Sequence, residues 1–245
     1  VILAAMGGLA LVGLIFTLPQ YSQGVLGVDA QGSGLRLLPI IAGLVLGAVP
    51  ADRLAARAGP KLTVAGGFLI TSGGLLLGAT TSVGSSFGFV AWWMAVVGFG
   101  MGIGFATAAS AALKSVPADK SGVASALVQA MQKVGAPFGS AILGSVLLTG
   151  YRSQLQLGGL PAAAADAVKQ SLFAGIAVAT SLHSPALLDN VRSSFVHGMD
   201  VALLVSAVIA AAAVLVSLAF LPGRTDLPDL AGVGDEAADK VRTVA

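Results

Sequence analysis

Apolar residues fall in long blocks along this chain, and short polar turns separate them. A helix needs about 20 predominantly apolar residues to cross the hydrocarbon core of a bilayer. The pattern predicts six such helices. The first covers residues 1–18, which carry no charge, and ends at Leu18-Pro19-Gln20-Tyr21-Ser22-Gln23, a change to polar and aromatic residues typical of a membrane interface. The second covers residues 35–51, with Arg36 near enough to its end to snorkel. The third covers 62–81, the fourth 87–113 with Trp92 and Trp93 in its first two turns, and the fifth 121–149. Residues 151–194 break the rhythm with Arg152, Asp166, Lys169, Asp189 and Arg192 scattered among Ala, Gly and Ser. The apolar run 172–182 is too short to span a bilayer, so this segment reads as a long outer loop carrying an interfacial or extramembrane helix. The sixth membrane helix covers 195–221 and stops at Pro222-Gly223-Arg224. Residues 222–245 are acidic and poor in large apolar side chains, which predicts a disordered tail.

The turns carry the charges, and their sign sets an orientation. Arg53, Arg57 and Lys61 crowd one turn, and Lys114 and Lys120 flank the hairpin between the fourth and fifth helices. The connections 24–34 and 82–86 hold no Lys or Arg. Short cation-rich loops stay on the cytoplasmic side, so the carboxyl-terminal tail is expected in the cytoplasm. Composition agrees: 56% of residues are hydrophobic and 10% charged, against roughly 25% charged in a soluble domain. The expected class is therefore an all-α integral membrane bundle with the lipid bilayer as its solvent. A net charge of +2 does not point to nucleic acid, because the cations sit in turns between apolar blocks. With no cysteine there is neither a disulfide nor a thiolate metal site. The chain opens at Val1 inside an apolar block, without an initiator Met or a basic leader, and so reads as part of a longer polypeptide rather than as a signal peptide.

The fifth membrane helix carries the most conspicuous chemistry. At 100° per residue, Ser125, Gln129, Gln132, Lys133 and Ser140 all fall within about 120° of Ser121. Val123, Leu127, Met131, Val134 and Phe138 lie on the opposite side. Polar groups are costly in lipid, so one reading turns this arc toward a water-filled pathway. In the other, Ser and Gln bond to neighbouring helices and Lys133 snorkels, although it stands about twelve residues from the inner end. Asp200, little more than one turn into the sixth membrane helix, could take up a proton, bind a cation or pair with Lys133, or simply be solvated at the outer interface. His183 and His197 belong to no cluster with metal-ligand spacing. Gly98 with Gly102 and Gly100 with Gly104 make two small-xxx-small pairs, repeated at Gly43 with Gly47 and at Gly135 with Gly139, and predict close helix packing. Gly84-Ser85-Ser86-Phe87-Gly88 fits the letters of a nucleophile elbow, but it lies between two hydrophobic helices and lacks the strand that such an elbow needs.

The hairpin GFGMGIGFATAASAALKSVPADKSGVASALVQAMQKVGAPFGSAILGSVL resembles spans twelve and thirteen of the fourteen-span drug:proton antiporter branch of the major facilitator superfamily. Leu18-Pro19-Gln20-Tyr21-Ser22-Gln23 and Ser194-Phe195-Val196-His197-Gly198-Met199-Asp200-Val201-Ala202-Leu203 agree with it. Residues 52–61 look like a degenerate copy of the family's cytoplasmic motif. Leu54, Ala55, Arg57, Gly59 and Lys61 match, while Asp52, Ala56 and Pro60 depart from it, and Asp52 stands one turn before Ala56, where the motif has an aspartate. The resemblance implies the carboxyl-terminal six-helix bundle of a major-facilitator fold in the inner membrane. It also implies a function: proton-coupled export of amphipathic drugs or metabolites by alternating access, with a small-molecule substrate, no cofactor beyond the proton gradient, and the amino-terminal half of the same polypeptide as partner. Residues 1–150 would hold the first five spans, 151–194 the outer loop, 195–221 the sixth span and 222–245 the tail. Gln129, Gln132, Lys133, Asp200, Phe105, Tyr21 and Gln23 are the pathway candidates. Asp52, Arg53, Arg57, Gly59 and Lys61 would form the gating turn. The alternatives are transport of another solute, a membrane-embedded hydrolase using Ser86, and a scaffold held by its glycine faces.

Overall fold

Every apolar block of the sequence coincides with a helix in a computed structural model of the chain, which describes the backbone of residues 2–114 and 121–221 and most of their side chains. Helix α1 is Ile2–Gln20 and continues through a π-helical turn, Tyr21–Val25. There follow α2 (Ala30–Leu35), α3 (Leu38–Ala58), α4 (Pro60–Gly78), α5 (Phe87–Lys114), α6 (Ser121–Gln154), α7 (Ala162–Gln170), α8 (Leu172–Ser181) and α9 (Pro185–Phe220). Among the described residues, four stretches, Ala30–Ala58, Pro60–Gly78, Phe87–Ala111 and Pro185–Phe220, are long and apolar enough to cross a membrane. Most of the basic hairpin, residues 115–120, and the expected tail, 222–245, lie outside the described residues.

Glycine decides which helices touch. Helix α5 lies between α3 and α4, and its two glycine pairs serve different neighbours. A Cβ on Gly98 or Gly102 would strike the carbonyl of Ile40 or Leu44 on α3, and one on Gly43 or Gly47 would strike the backbone of Ala95 or Phe99 in return. On the other face, a Cβ on Gly100 would stand 2.5 Å from the Gly67 carbonyl and 2.6 Å from the Thr71 nitrogen of α4. Bare backbone against bare backbone is what small-xxx-small spacing permits. From α4 the packing passes to α9, then to α6 and α1, which close on each other. There a Cβ on Gly13 would meet Leu143, and one on Gly150 would lie 2.8 Å from the Gly198 Cα.

The segment expected as a long outer loop is folded. Ser171 Oγ accepts the Ala174 N–H at 3.2 Å and caps α8, and Ser184 Oγ accepts the Leu187 N–H at 3.3 Å to cap α9, with Pro185 in its first turn. Helix α9 therefore begins ten residues before the expected Phe195. Tyr151 Oη donates to the Val168 carbonyl at 2.9 Å and Arg152 Nε to the Lys169 carbonyl at 2.9 Å, fixing α7 to the end of α6. Val168, Leu172, Ala179, Leu187 and Val191 are buried beneath this cap. The turn expected over 52–61 is shorter than its sequence suggests, because α3 stays helical to Ala58 and α4 starts at Pro60. Gly59 alone makes the turn, with φ 86° and ψ 154°, a region essentially confined to glycine.

Candidate functional site

Helix α6 is 34 residues long and carries Gln129 and Lys133, one turn apart and both exposed on its surface. The Gln132 side chain lies outside what is described, as do those of Ser121 and Ser125. Ser140 is partly buried and donates to the Pro137 carbonyl at 3.0 Å. Phe138, expected on the apolar packing side, is 63% exposed.

Asp200 is set deeper in its helix than the sequence indicates. With α9 beginning at Pro185, about four turns precede it rather than little more than one. One carboxyl oxygen, Oδ1, is buried and has no hydrogen-bond partner among the described residues. Of the roles open to Asp200, pairing with Lys133 does not fit the register of the two helices. Gly198 packs against Leu147 and Tyr151, which brings Asp200 level with the carboxyl-terminal end of α6 and puts Lys133 about 20 Å further along it. The nearer polar group is Tyr21, which lies within electrostatic reach of both Asp200 and Arg36. Tyr21 is wholly buried, and its hydroxyl donates to the Ser82 carbonyl at 3.4 Å. The Arg36 guanidinium sits 4.9 Å from the centre of the Phe87 ring, a cation–π contact. Gln23 is partly buried in the π-turn. Phe105 presses its ring against Gly7 of α1, where a Cβ would stand 2.5 Å from it, and so fills the seam between α1 and α5.

At the opposite end, Asp52, Arg53 and Arg57 are exposed on the last turns of α3, and Lys61 is partly buried at the start of α4. Asp52 and the exposed Ala56 share one helical face, as their spacing predicts. Gly104 differs from its neighbours in the glycine faces: a Cβ there would meet only the Phe68 ring, at 3.6 Å, which is ordinary contact. Gly139 is buried, and the surroundings of Gly135 are not among those described. Ser86 has a local structural role, its Oγ accepting the Phe89 N–H at 3.3 Å where α5 begins. His197 and His183 are exposed, and no group of three metal-ligating side chains occurs among the described residues.

Two features escaped the sequence reading. One is the Gly150–Gly198 crossing, which joins glycines 48 positions apart and so has no local spacing signal. The other is a cavity of about 310 Å³ between α1, α6, α9 and the α7–α8 junction. Phe16, Gln20, Ser140, Gly144, Leu172 and Phe195 are among its walls.

Known proteins resemble the chain along nearly its whole length. The family model described as Major Facilitator Superfamily matches residues 1–140. The tetracenomycin C resistance and export protein of Streptomyces glaucescens is 26% identical over 228 residues, covering 89% of this chain and 42% of that protein. A multidrug efflux pump of Mycolicibacterium smegmatis is 29% identical over 217 residues, covering 86% of this chain and 43% of the pump. A triacylglyceride transporter of Mycolicibacterium hassiacum is 34% identical over 172 residues, 65% of this chain and 32% of the transporter. The chain thus spans less than half the length of these relatives.

Proposed function

Because the chain belongs to the Major Facilitator Superfamily, we propose that it is the carboxyl-terminal half of a fourteen-span exporter that drives amphipathic compounds out of the cell against inward proton flow. The family is one of multi-pass membrane transporters rather than enzymes, and it draws on ion gradients without a cofactor. The observation that carries the reading is the alignment over 86% and 89% of the chain with proteins named for efflux and export. Its coverage of 42% and 43% of those proteins supports placement as one half, with the amino-terminal half as partner.

Alternating access needs two packed units that rock about a shared pathway. The glycine seam between α3 and α5 suits the inside of one such unit, since backbone packed on backbone moves as one body. Gln129, Gln132 and Lys133 on α6 are assigned to the pathway wall, because an exposed ammonium on a membrane helix is stable only beside water or an anion. Asp200, with Tyr21 nearby, is assigned to the outer end of that pathway, as is Gln23, and Phe105 to its flank. Asp52, Arg53, Arg57, Gly59 and Lys61 form the gating turn on the cytoplasmic side, where the carboxyl terminus also lies. There Asp52 supplies the charge that Ala56 lacks.

The test is expression of the full-length polypeptide in a bacterial host stripped of its own pumps, with ethidium efflux followed by fluorescence. Efflux that stops when a protonophore is added is the expected result. Wild-type protein that reaches the membrane folded and moves no dye would sink the drug reading. The relative named a triacylglyceride transporter then makes a lipidic solute the next to try.

A further inference from the structure

The cavity between α1, α6, α9 and the α7–α8 junction is composed differently from the polar arc of α6. At about 310 Å³ it is the size of a small-ligand pocket. Phe16, Leu147, Leu172 and Phe195 give it an apolar wall, and the polar groups that line it are neutral, with no charged side chain among them. Several of those groups keep unused hydrogen-bonding capacity. Gln20 Nε2 donates to the Phe16 carbonyl at 3.1 Å, which leaves its amide oxygen to accept. Ser171 Oγ accepts the Ala174 N–H, which leaves its hydroxyl proton to donate. Ser140 Oγ donates to the Pro137 carbonyl and keeps a lone pair. Arg152 and Lys169, each next in sequence to a lining residue, are tied together by the Arg152 Nε bond to the Lys169 carbonyl, and the Lys169 ammonium pairs with Asp166 at 3.5 Å. Gly144 leaves the floor open, since a Cβ there would meet only Phe16, at 3.8 Å.

We infer that this cavity is a binding site for an uncharged amphiphile, with its apolar body against Phe16, Leu172 and Phe195 and its polar end hydrogen-bonded by Gln20, Ser140 and Ser171. A cation there would find no counter-charge among the lining side chains, so desolvation would oppose its entry. The site stands apart from Lys133, because Gly144 lies about 16 Å along α6 from it. One wall is the α7–α8 junction, which Tyr151 and Arg152 tie to the end of α6 by hydrogen bonds. The ligand comes either from the exported solutes or from neutral lipid in the bilayer, and both present the same chemistry.

N-phenyl-1-naphthylamine, an uncharged amphiphile that brightens in apolar surroundings, is the probe, titrated into the full-length polypeptide in lipid nanodiscs with empty discs subtracted. Saturable binding is expected, weakened about ten-fold or more by Gly144→Leu, which fills the floor, and nearly retained in Gly144→Ala. Ser140→Phe fills the same space from another position and is expected to act alike, so a folding failure of one variant leaves the other as the test. Undiminished binding in a folded filling variant overturns the site, and displacement of the probe by tetraphenylphosphonium overturns its preference for uncharged ligands. Displacement by dioleoylglycerol identifies the bilayer as the source, displacement by chloramphenicol identifies a dissolved solute, and displacement by neither overturns the inference. Binding is read without transport, so the export reading and this site fail independently.

Discussion

Single glycines carry specific tolerances in this chain, and the spacing that revealed them does not rank them. Gly102→Leu would drive a side chain into the Leu44 carbonyl of α3, which cannot yield as a flexible side chain can. Overpacking of this kind costs typically 1–3 kcal/mol, so folded yield in the membrane is expected to fall clearly, as fluorescence-detected size exclusion would read. Gly104→Ala, two residues on in the second pair, meets only the Phe68 ring and is expected to leave that yield nearly unchanged. Lys133→Ala is expected to lower transport more than folded protein, because the exposed ammonium packs no helix together; equal loss of both would favour a structural role. Asp200 is the residue whose setting the sequence conveyed least well. Its apparent nearness to the interface came from starting α9 at the apolar run, whereas Ser184 and Pro185 form a cap and first-turn proline that were legible and outweigh composition.

Elements whose boundaries follow hydrophobic blocks were legible to within a few residues, because in a membrane backbone hydrogen bonds must be satisfied inside the helix. Joints were less so. The ten residues from Asp52 to Lys61 look like a loop by charge, yet charge marks only the side of the membrane, and the turn itself is Gly59. Gly59→Ala is expected to cost about 1–3 kcal/mol, from the backbone region it occupies, and to lower the thermal unfolding midpoint. Within the cap, α8 was legible as the apolar run 172–182, whereas α7 was not, since that short helix is held by distant partners. Tyr151→Phe removes the hydroxyl that satisfies the Val168 carbonyl and is expected to cost about 1 kcal/mol. Faster hydrogen exchange over residues 162–170 with the membrane helices unchanged would bear this out, and uniform exchange would show that the cap is held otherwise.

On the scale of the whole molecule, α3 buries its glycine face against α5 and leaves Leu38, Ile41, Val45 and Val49 exposed in a stripe at helical spacing. Such a stripe would be a liability in water and is ordinary against lipid or further helices. Family and fold class were legible because hydropathy and the hairpin motif are local properties. The pathway was not, since a cavity is defined by elements distant in sequence and, in the proposed exporter, by a second half. The central claim is proton-driven export, and inverted membrane vesicles holding the full-length polypeptide test it most directly. A lipophilic cationic dye is added outside, a proton gradient is imposed, and uptake is followed. The account predicts uptake that appears with the gradient and disappears with a protonophore. Folded, inserted protein that takes up no dye, or uptake indifferent to the protonophore, would contradict it.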